Sequence, residues 1–371
     1  MRKGNNTMRV VFFSAARQVW GAEVSLLTLA SALTDQGVDV VVVCPSGELA
    51  DRAVEAGIAK VHAVPPVADS VTQGRMRDSQ RLWQTCLRIA RRDDHVVIFS
   101  YYLLAFAPVA RPVLRARGVH VTLDLHDTLP SPKARLAVRL GSRAVDLVIA
   151  CSRFTAGQLA HRPRVSYLHR AVTPPTSIAQ VAAGDTTPQV ARVGAGGPLR
   201  IGIVGRITQE KRHLLLIDAV AQLRSEAVLV VRGADDGFSD GHAAHVMDHG
   251  RRTLGDRFIV QGRVPLATAL AELDVLVVGN PQEPMGRTVL EAQAQGVVAV
   301  VPDSGGASEL VEDGVTGLVY AHDDAASLAR TIDTLDGDGA LAARLVTTAR
   351  QRLRRPADYA DDYLSLLEGR V

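Results

Sequence analysis

Short apolar runs rich in β-branched residues alternate with longer amphipathic stretches from one end of the chain to the other. In the first half the runs are RVVFFSA, DVVVVC, HVVIFSY, HVTLDL, DLVIACS and VSYL, and in the second LRIGIVG, AVLVVRG, RFIVQG, DVLVVG, VVAVVP and GLVY. Runs this short and this continuously apolar fit strands covered on both faces, and the helical patterns between them supply the covers. The alternation therefore predicts an α/β fold with parallel sheets, and two series of strands imply two Rossmann-like domains. From about Thr173 to Pro198 the periodicity fades into Pro, Gly, Ala and Thr. The domains are accordingly expected at 1–175 and 198–350, joined by a linker at 176–197. Two helical segments broken near Pro356 close the chain, and the last, 351–371, is expected to pack back on the first domain.

Size and composition agree with two cores. A chain of 371 residues, 47% hydrophobic and 22% charged, is too long for one ordinary core. Cys44, Cys86 and Cys151 are odd in number and widely spaced, which suggests neither a disulfide framework nor a zinc site and points to a reducing, cytoplasmic setting. No apolar run is long enough to span a bilayer, no cleavable leader pattern precedes VVFFSAA, and Met8 is a second candidate start.

Charge changes the picture more than composition does. Residues 1–170 hold 23 Lys and Arg against 13 Asp and Glu, whereas the remainder holds 19 against 26. Six arginines fall between Arg75 and Arg92, and others follow at Arg111, Arg115, Arg117, Arg135, Arg139 and Arg143. A basic first half points to an anionic membrane surface or a phosphorylated acceptor, with an arginine-rich solvated face as the plain alternative. Nucleic acid is disfavoured because no recognition motif or interleaved aromatics accompany the charge.

Candidate chemistry lies mostly in the second half. In GIVGRITQEKRHLLLIDAV a strand ends at Gly205, a polar loop places Arg206 and Lys211 five apart, and a helix follows. Backbone donors at a helix start and two fixed cations suit a pyrophosphate, while an ordinary β–α connection with exposed charges is the other reading. In QEPMGRTVLEAQAQG the loop enters a helix at Gly286–Thr288, where unpaired N–H groups suit phosphate or sugar oxygens. Glu283 before it and Glu291 about two turns on have carboxylates fit to accept from vicinal hydroxyls; otherwise Glu283 is a helix-dipole partner and Glu291 a solvated residue. In DSGGASELVEDGVTG, Gly305 and Gly306 permit close backbone approach to a ligand, or simply a tight turn.

The order and spacing of VGRITQEK, EPMGRTVLEAQAQG and DSGGASELVEDGVTGLVY resemble the C-terminal domain of retaining glycosyltransferases of family 4, group 1. The resemblance implies the GT-B fold, two Rossmann-like β/α/β domains facing across a cleft. Residue by residue it implies that Arg206 and Lys211 hold the donor diphosphate. Glu283, with Met285, Gly286, Arg287 and Thr288, would hold the sugar and phosphates, and Glu291 the ribose. VQGRVP resembles the base-pocket segment, which implicates Arg263 and Val264. VWGAEVSLLTLASAL resembles the family's glycine-rich loop, so Gly21 is expected near the donor phosphates, with Trp20 where the first glycine usually stands. LDLHDTLP places His126 where the family has a histidine beside the donor sugar; outside the family a lone His reads as structural. VGNPQEP departs from a commoner Pro-Ser, and Met285 stands where Phe is usual.

The resemblance implies transfer of a sugar from a nucleotide diphosphate, most often a UDP-sugar, to an acceptor hydroxyl with retained configuration. His126, Arg206, Lys211 and Glu283 are the expected catalytic group, with no cofactor required and no metal expected. Cell-envelope glycan, glycolipid or glycosylated natural-product synthesis is the expected setting. The expected location is the cytoplasm, with peripheral contact at the inner membrane face through the basic first domain and an anionic or lipid-linked acceptor. A GT-B nucleotide-sugar epimerase and a non-catalytic scaffold are the alternatives. A dinucleotide oxidoreductase is disfavoured further by the absence of Gly-x-Gly-x-x-Gly after either first strand.

Overall fold

The computed structural model describes residues 8–65, 73–129, 131–159, 164–172, 197–235, 241–265 and 268–370. The linker read at 176–197 lies outside these residues except for Gly197. The chain divides into two compact units, Met1–Ala171 with Arg354–Val371, and Val172–Leu353. These limits fall a few residues from the 175 and 350 suggested by composition.

The first unit is built on seven parallel strands: β1 (Arg9–Phe13), β2 (Asp39–Pro45), β3 (Lys60–Val64), β4 (His95–Ile98), β5 (His120–Leu125), β6 (Leu147–Ala150) and β7 (Val165–Tyr167). They lie in the order β3-β2-β1-β4-β5-β6-β7. All five residues of β1 are buried, because helices cover both faces of the sheet and leave no side of the strand for water. One cover consists of the helices Gly21–Asp35 and Glu48–Glu55 with the last helix, Pro356–Leu367, whose Tyr359, Ala360, Tyr363 and Leu367 join the same core as Leu26, Leu29 and Leu33. The opposite cover consists of Gln73–Ile89, Ala107–Ala116 and Pro132–Gly141, anchored by Leu82, Trp83, Ala110, Leu114 and Val138. Pro356 sits in the first turn of its helix, where its missing N–H costs nothing.

The second unit repeats the plan with β8 (Leu199–Val204), β9 (Ala227–Arg232), β10 (Phe258–Val260), β11 (Val275–Val277), β12 (Val298–Pro302) and β13 (Leu318–Tyr320). The order is β10-β9-β8-β11-β12-β13, again all parallel. In both sheets the order reverses beside the first strand. Ligands of open α/β sheets bind outside the carboxyl ends of the strands at that switch point. It falls between the loops after β1 and β4 in the first unit, and between those after β8 and β11 in the second.

Candidate functional site

In the second unit the two loops at the switch point meet through charge. Lys211 lies in a single turn, Gln209–Lys211, after β8, and its Nζ donates to Glu283 Oε2 at 2.8 Å. Asn280, on the loop after β11, donates to the same oxygen at 3.0 Å. Both partners are mostly shielded, so the pair gains more than an exposed one would. Arg206 is exposed on the Lys211 loop.

Backbone geometry explains why the loops come so close. Gly286 caps the helix Arg287–Gln295 with φ 86°, a left-handed conformation that L side chains resist. A Cβ on Gly306 would lie 2.1 Å from the Pro284 carbonyl oxygen, and one on Gly305 would lie 2.8 Å from that of Pro281. Gly306 N–H donates to the Glu283 carbonyl at 2.7 Å. The two glycines therefore permit loop-on-loop packing that holds Glu283, a more specific task than a tight turn. Gly279 plays the same part for Lys211, since its Cβ would stand 2.3 Å from the Lys211 carbonyl oxygen.

Glu291 lies one turn into the helix, where Arg287 Nε donates to it at 2.8 Å. The two side chains are only 12% and 11% exposed, so Glu291 is not the solvated residue that an ordinary helix surface would hold. Burial raises its carboxyl above the ordinary range despite the opposing pull of Arg287. Thr288 is half-buried and Met285 buried beside it. Arg263 is exposed after the left-handed Gly262, and Val264 is half-buried. That segment is held by Arg232, which the sequence reading missed: its guanidinium donates to Gln261 Oε1 at 2.7 Å and to the carbonyls of Thr268, Ala269 and Ala271. Arg212 takes the left-handed conformation at φ 55° and pairs through Nε with Asp323, itself at φ 56°.

In the first unit His126 follows β5 with a side chain 12% exposed, its ring 4.6 Å from that of Phe99. Its Nδ1 is 3.7 Å from Asp124 Oδ1 and its Nε2 3.7 Å from Asp127 Oδ2, charge contacts beyond hydrogen-bond reach. Burial opposes protonation, but the Asp124 and Asp127 carboxylates outweigh it and raise the imidazole above its usual value. Asp124 is fully buried and chelated by Arg170 through both terminal nitrogens. Arg170 also donates to the Tyr359 hydroxyl at 2.6 Å, and the Tyr363 hydroxyl donates to Asp124 Oδ2 at 2.9 Å. Burial would raise Asp124, yet Arg170 and His126 hold it below the ordinary carboxylate range. The sequence reading missed this network. Its signal was a carboxylate inside the apolar run HVTLDL, which in a sheet covered on both faces demands a buried partner.

At the start of Gly21–Asp35, Trp20 is extended at φ −115°, an ordinary conformation for a bulky residue, and Gly21 is not among the glycines of positive φ. Glu23 accepts from the Trp20 N–H at 3.0 Å, so its carboxylate serves the helix cap. The loop after β1 is fixed across the switch point by the Ala15 N–H donating to Ser100 Oγ at 3.0 Å. Burial pushes the thiols of Cys44 and Cys86 up to about 12 and that of Cys151 to about 11, which removes all three as nucleophiles. Among the described residues no group of three or more His, Cys, Asp or Glu could hold a metal ion. No helix among them is long and apolar enough to cross a membrane.

Comparison with known proteins places this geometry. Residues 19–174 match the model of Glycosyltransferase Family 4, and residues 198–338 match that of Glycosyl transferases group 1. The chain is 36% identical over 161 residues to alpha-maltose-1-phosphate synthase of Mycobacterium tuberculosis, covering 40% of this chain and 41% of that protein. It is 31% identical over 175 residues to the lipopolysaccharide core biosynthesis glycosyltransferase LpsE of Rhizobium meliloti, covering 44% and 48%. The match thus spans less than half of either relative. The fold superposes on Anabaena Alr3699/HepE in complex with UDP-glucose with a TM-score of 0.76 at 20% identity, covering 98% of this chain and all of that one. With a switch-point ion pair and a glycine-capped helix in the matched second half, and a matched model over each domain, the chain belongs to the family 4, group 1 glycosyltransferases of GT-B fold.

Proposed function

We propose that the protein is a retaining transferase that moves a hexose from a UDP-sugar to an acceptor hydroxyl, without a metal. The observation that carries this reading is the Lys211–Glu283 pair across the switch point, beside the glycine-capped start of the helix Arg287–Gln295. In this reading Arg206 and Lys211 neutralise the diphosphate as the C1–oxygen bond to it breaks. The acceptor oxygen forms its bond to C1 on the same face, and its proton passes to the departing phosphate oxygen. Charge gathers on the leaving group, so preorganised cations and amides supply the largest part of catalysis. Glu283 holds sugar hydroxyls, Glu291 the ribose, and Arg263 with Val264 flank the base. His126 orients the sugar rather than abstracting a proton, its imidazole held by carboxylates on both sides. A relative named for lipopolysaccharide core synthesis and a fold neighbour complexed with UDP-glucose support a cell-envelope or glycolipid role with a UDP-sugar. The basic first half supports an anionic or lipid-linked acceptor, reached by a cytoplasmic enzyme at the inner membrane face.

The test is calorimetric binding of UDP, GDP and ADP and their sugar conjugates to wild type and Glu291→Ala. Selective binding of the uridine compounds, weakened in the variant, is expected. Equal indifference to all nucleotides by folded protein would overturn the assignment in favour of a scaffold.

A further inference from the structure

The helical layer formed by Gln73–Ile89, Ala107–Ala116 and Pro132–Gly141 exposes apolar side chains that a solvated cover should hide. Ten large apolar side chains are exposed among the described residues; five of them, Met76, Val109, Val113, Leu136 and Leu140, belong to this layer, and Tyr102 lies on the turn Tyr101–Ala105 that packs against it. Val109 is 78% exposed, Leu136 56% and Leu140 49%. Val109 and Val113 stand four apart on one helix, as do Leu136 and Leu140 on another, so each pair presents one outward stripe. The elements are contiguous: Ala107–Ala116 packs on Gln73–Ile89 and on the turn Ser142–Ala144 that continues Pro132–Gly141. Inward anchorage is complete without these residues, through Leu82, Trp83, Leu114 and Val138.

On the two striped helices the charge is of one sign. Ala107–Ala116 and Pro132–Gly141 contain no acidic residue, whereas Lys133, Arg135, Arg139 and Arg115 are exposed on them. Arg77 and Arg81, with Gln80 and Gln84, line a shallow pocket of about 400 Å³ on the neighbouring helix, of a size and polarity to seat a phosphate headgroup. The other cover of the same sheet differs: Glu48, Asp51, Glu55, Asp358, Asp361 and Asp362 lie on Glu48–Glu55 and Pro356–Leu367. An arginine-rich coat serving solubility alone would not need the exposed apolar stripes.

We propose that this layer is a docking surface for an anionic lipid bilayer, with Val109, Val113, Leu136 and Leu140 entering the interface and the flanking cations engaging phosphate headgroups. A face carrying apolar stripes between cations matches a bilayer interface, where acyl chains accept the side chains and long cationic stems reach up to the phosphates. The inference deepens the lipid-linked or anionic acceptor reading above and rests on it for its purpose, not for its geometry.

The experiment is cosedimentation of the full chain with phosphatidylglycerol–phosphatidylcholine vesicles and with phosphatidylcholine vesicles alone. Binding to the anionic vesicles only, released by raised ionic strength, is expected. Leu136→Ser with Leu140→Ser, and separately Lys133→Glu with Arg139→Glu, should each weaken it about tenfold or more while leaving the thermal midpoint and UDP binding unchanged. No binding by wild type, equal binding to neutral vesicles, or full binding by both variants overturns the proposal. So does a wild-type dimer that the leucine variant dissolves, which would assign the face to a second copy of the chain. UDP binding read on the same samples separates the two proposals: vesicle binding without nucleotide binding leaves this surface standing and removes the transferase assignment, and the reverse removes the surface alone.

Discussion

The two units carry their charged residues by opposite means. In the second, the ionic pairs are built from nearby chain and glycine: Arg287 and Glu291 are one helical turn apart, and Lys211 reaches Glu283 because Gly279, Gly305 and Gly306 let three loops pack without side chains between them. In the first, His126 stands over a fully buried cluster whose members come from β5, from the chain after β7 and from the last helix. The second arrangement leaves its charges within reach of a ligand. The first hides them, so Asp124 and Arg170 position His126 and tie the C-terminal helix into the first unit. Removing a charge should therefore mainly cost activity in one unit and stability in the other.

The strongest way to break that contrast is Arg170→Met. It strands the Asp124 carboxylate in a dry site, and denaturant unfolding should show a loss of about 3–5 kcal/mol. A loss below about 1 kcal/mol would mean that the cluster does not tie the C-terminal helix into the first unit. Lys211→Ala is the counterpart. Its turnover should fall about 10²-fold or more while stability changes by less than about 1 kcal/mol. Near-normal turnover in a steady-state assay would remove Lys211 from the leaving-group site. Gly306→Ala sharpens the comparison on the backbone side, since the added methyl must displace the Pro284 carbonyl. A stability cost of about 1–3 kcal/mol is expected, together with weaker donor binding because the loop carrying Glu283 moves.

The smallest effect contrasts two histidines. His126 is raised above its ordinary 6.5 by Asp124 and Asp127 against the effect of burial, whereas His213, buried beside His242 and Lys211, is pushed down to about 4, first by burial and then by those charges. The raised group contributes stability below pH 6.5 that is lost as pH rises through its native value. The lowered group contributes stability above 6.5 that is lost as pH falls toward about 4. Ring-proton NMR across this range should show His126 titrating above, and His213 well below, an exposed histidine. Coincident titrations would erase the electrostatic difference between the units.

How much of this could be read beforehand follows the same division. Both sheets, the Lys211 loop, the Glu283 loop and the Glu291 helix were legible, because each is declared by a local pattern: an apolar run, a helix start, a glycine at a cap. The shielded state of Glu291 was not, since it depends on what packs over the helix. Asn280 was passed over as a loop residue, and Gly279 and Arg232 as the ends of strand runs; only the packed loops show what each holds. Trp20 looked like a departure from a glycine-rich loop, yet its extended backbone needs no glycine.

By itself the sequence determined the alternation of strands and helices, the two sheets, the family and the charged residues at the second switch point. Each of these is written in residue periodicity or in spacings of a few positions, over which backbone geometry is nearly fixed. Tertiary structure alone decided that Asp124 meets Arg170 and Tyr363, and that the apolar stripes of two separate helices share one basic face. Partners up to 239 positions apart in the chain leave no periodic trace, and they become neighbours only when burial makes an unpaired charge too costly to leave alone.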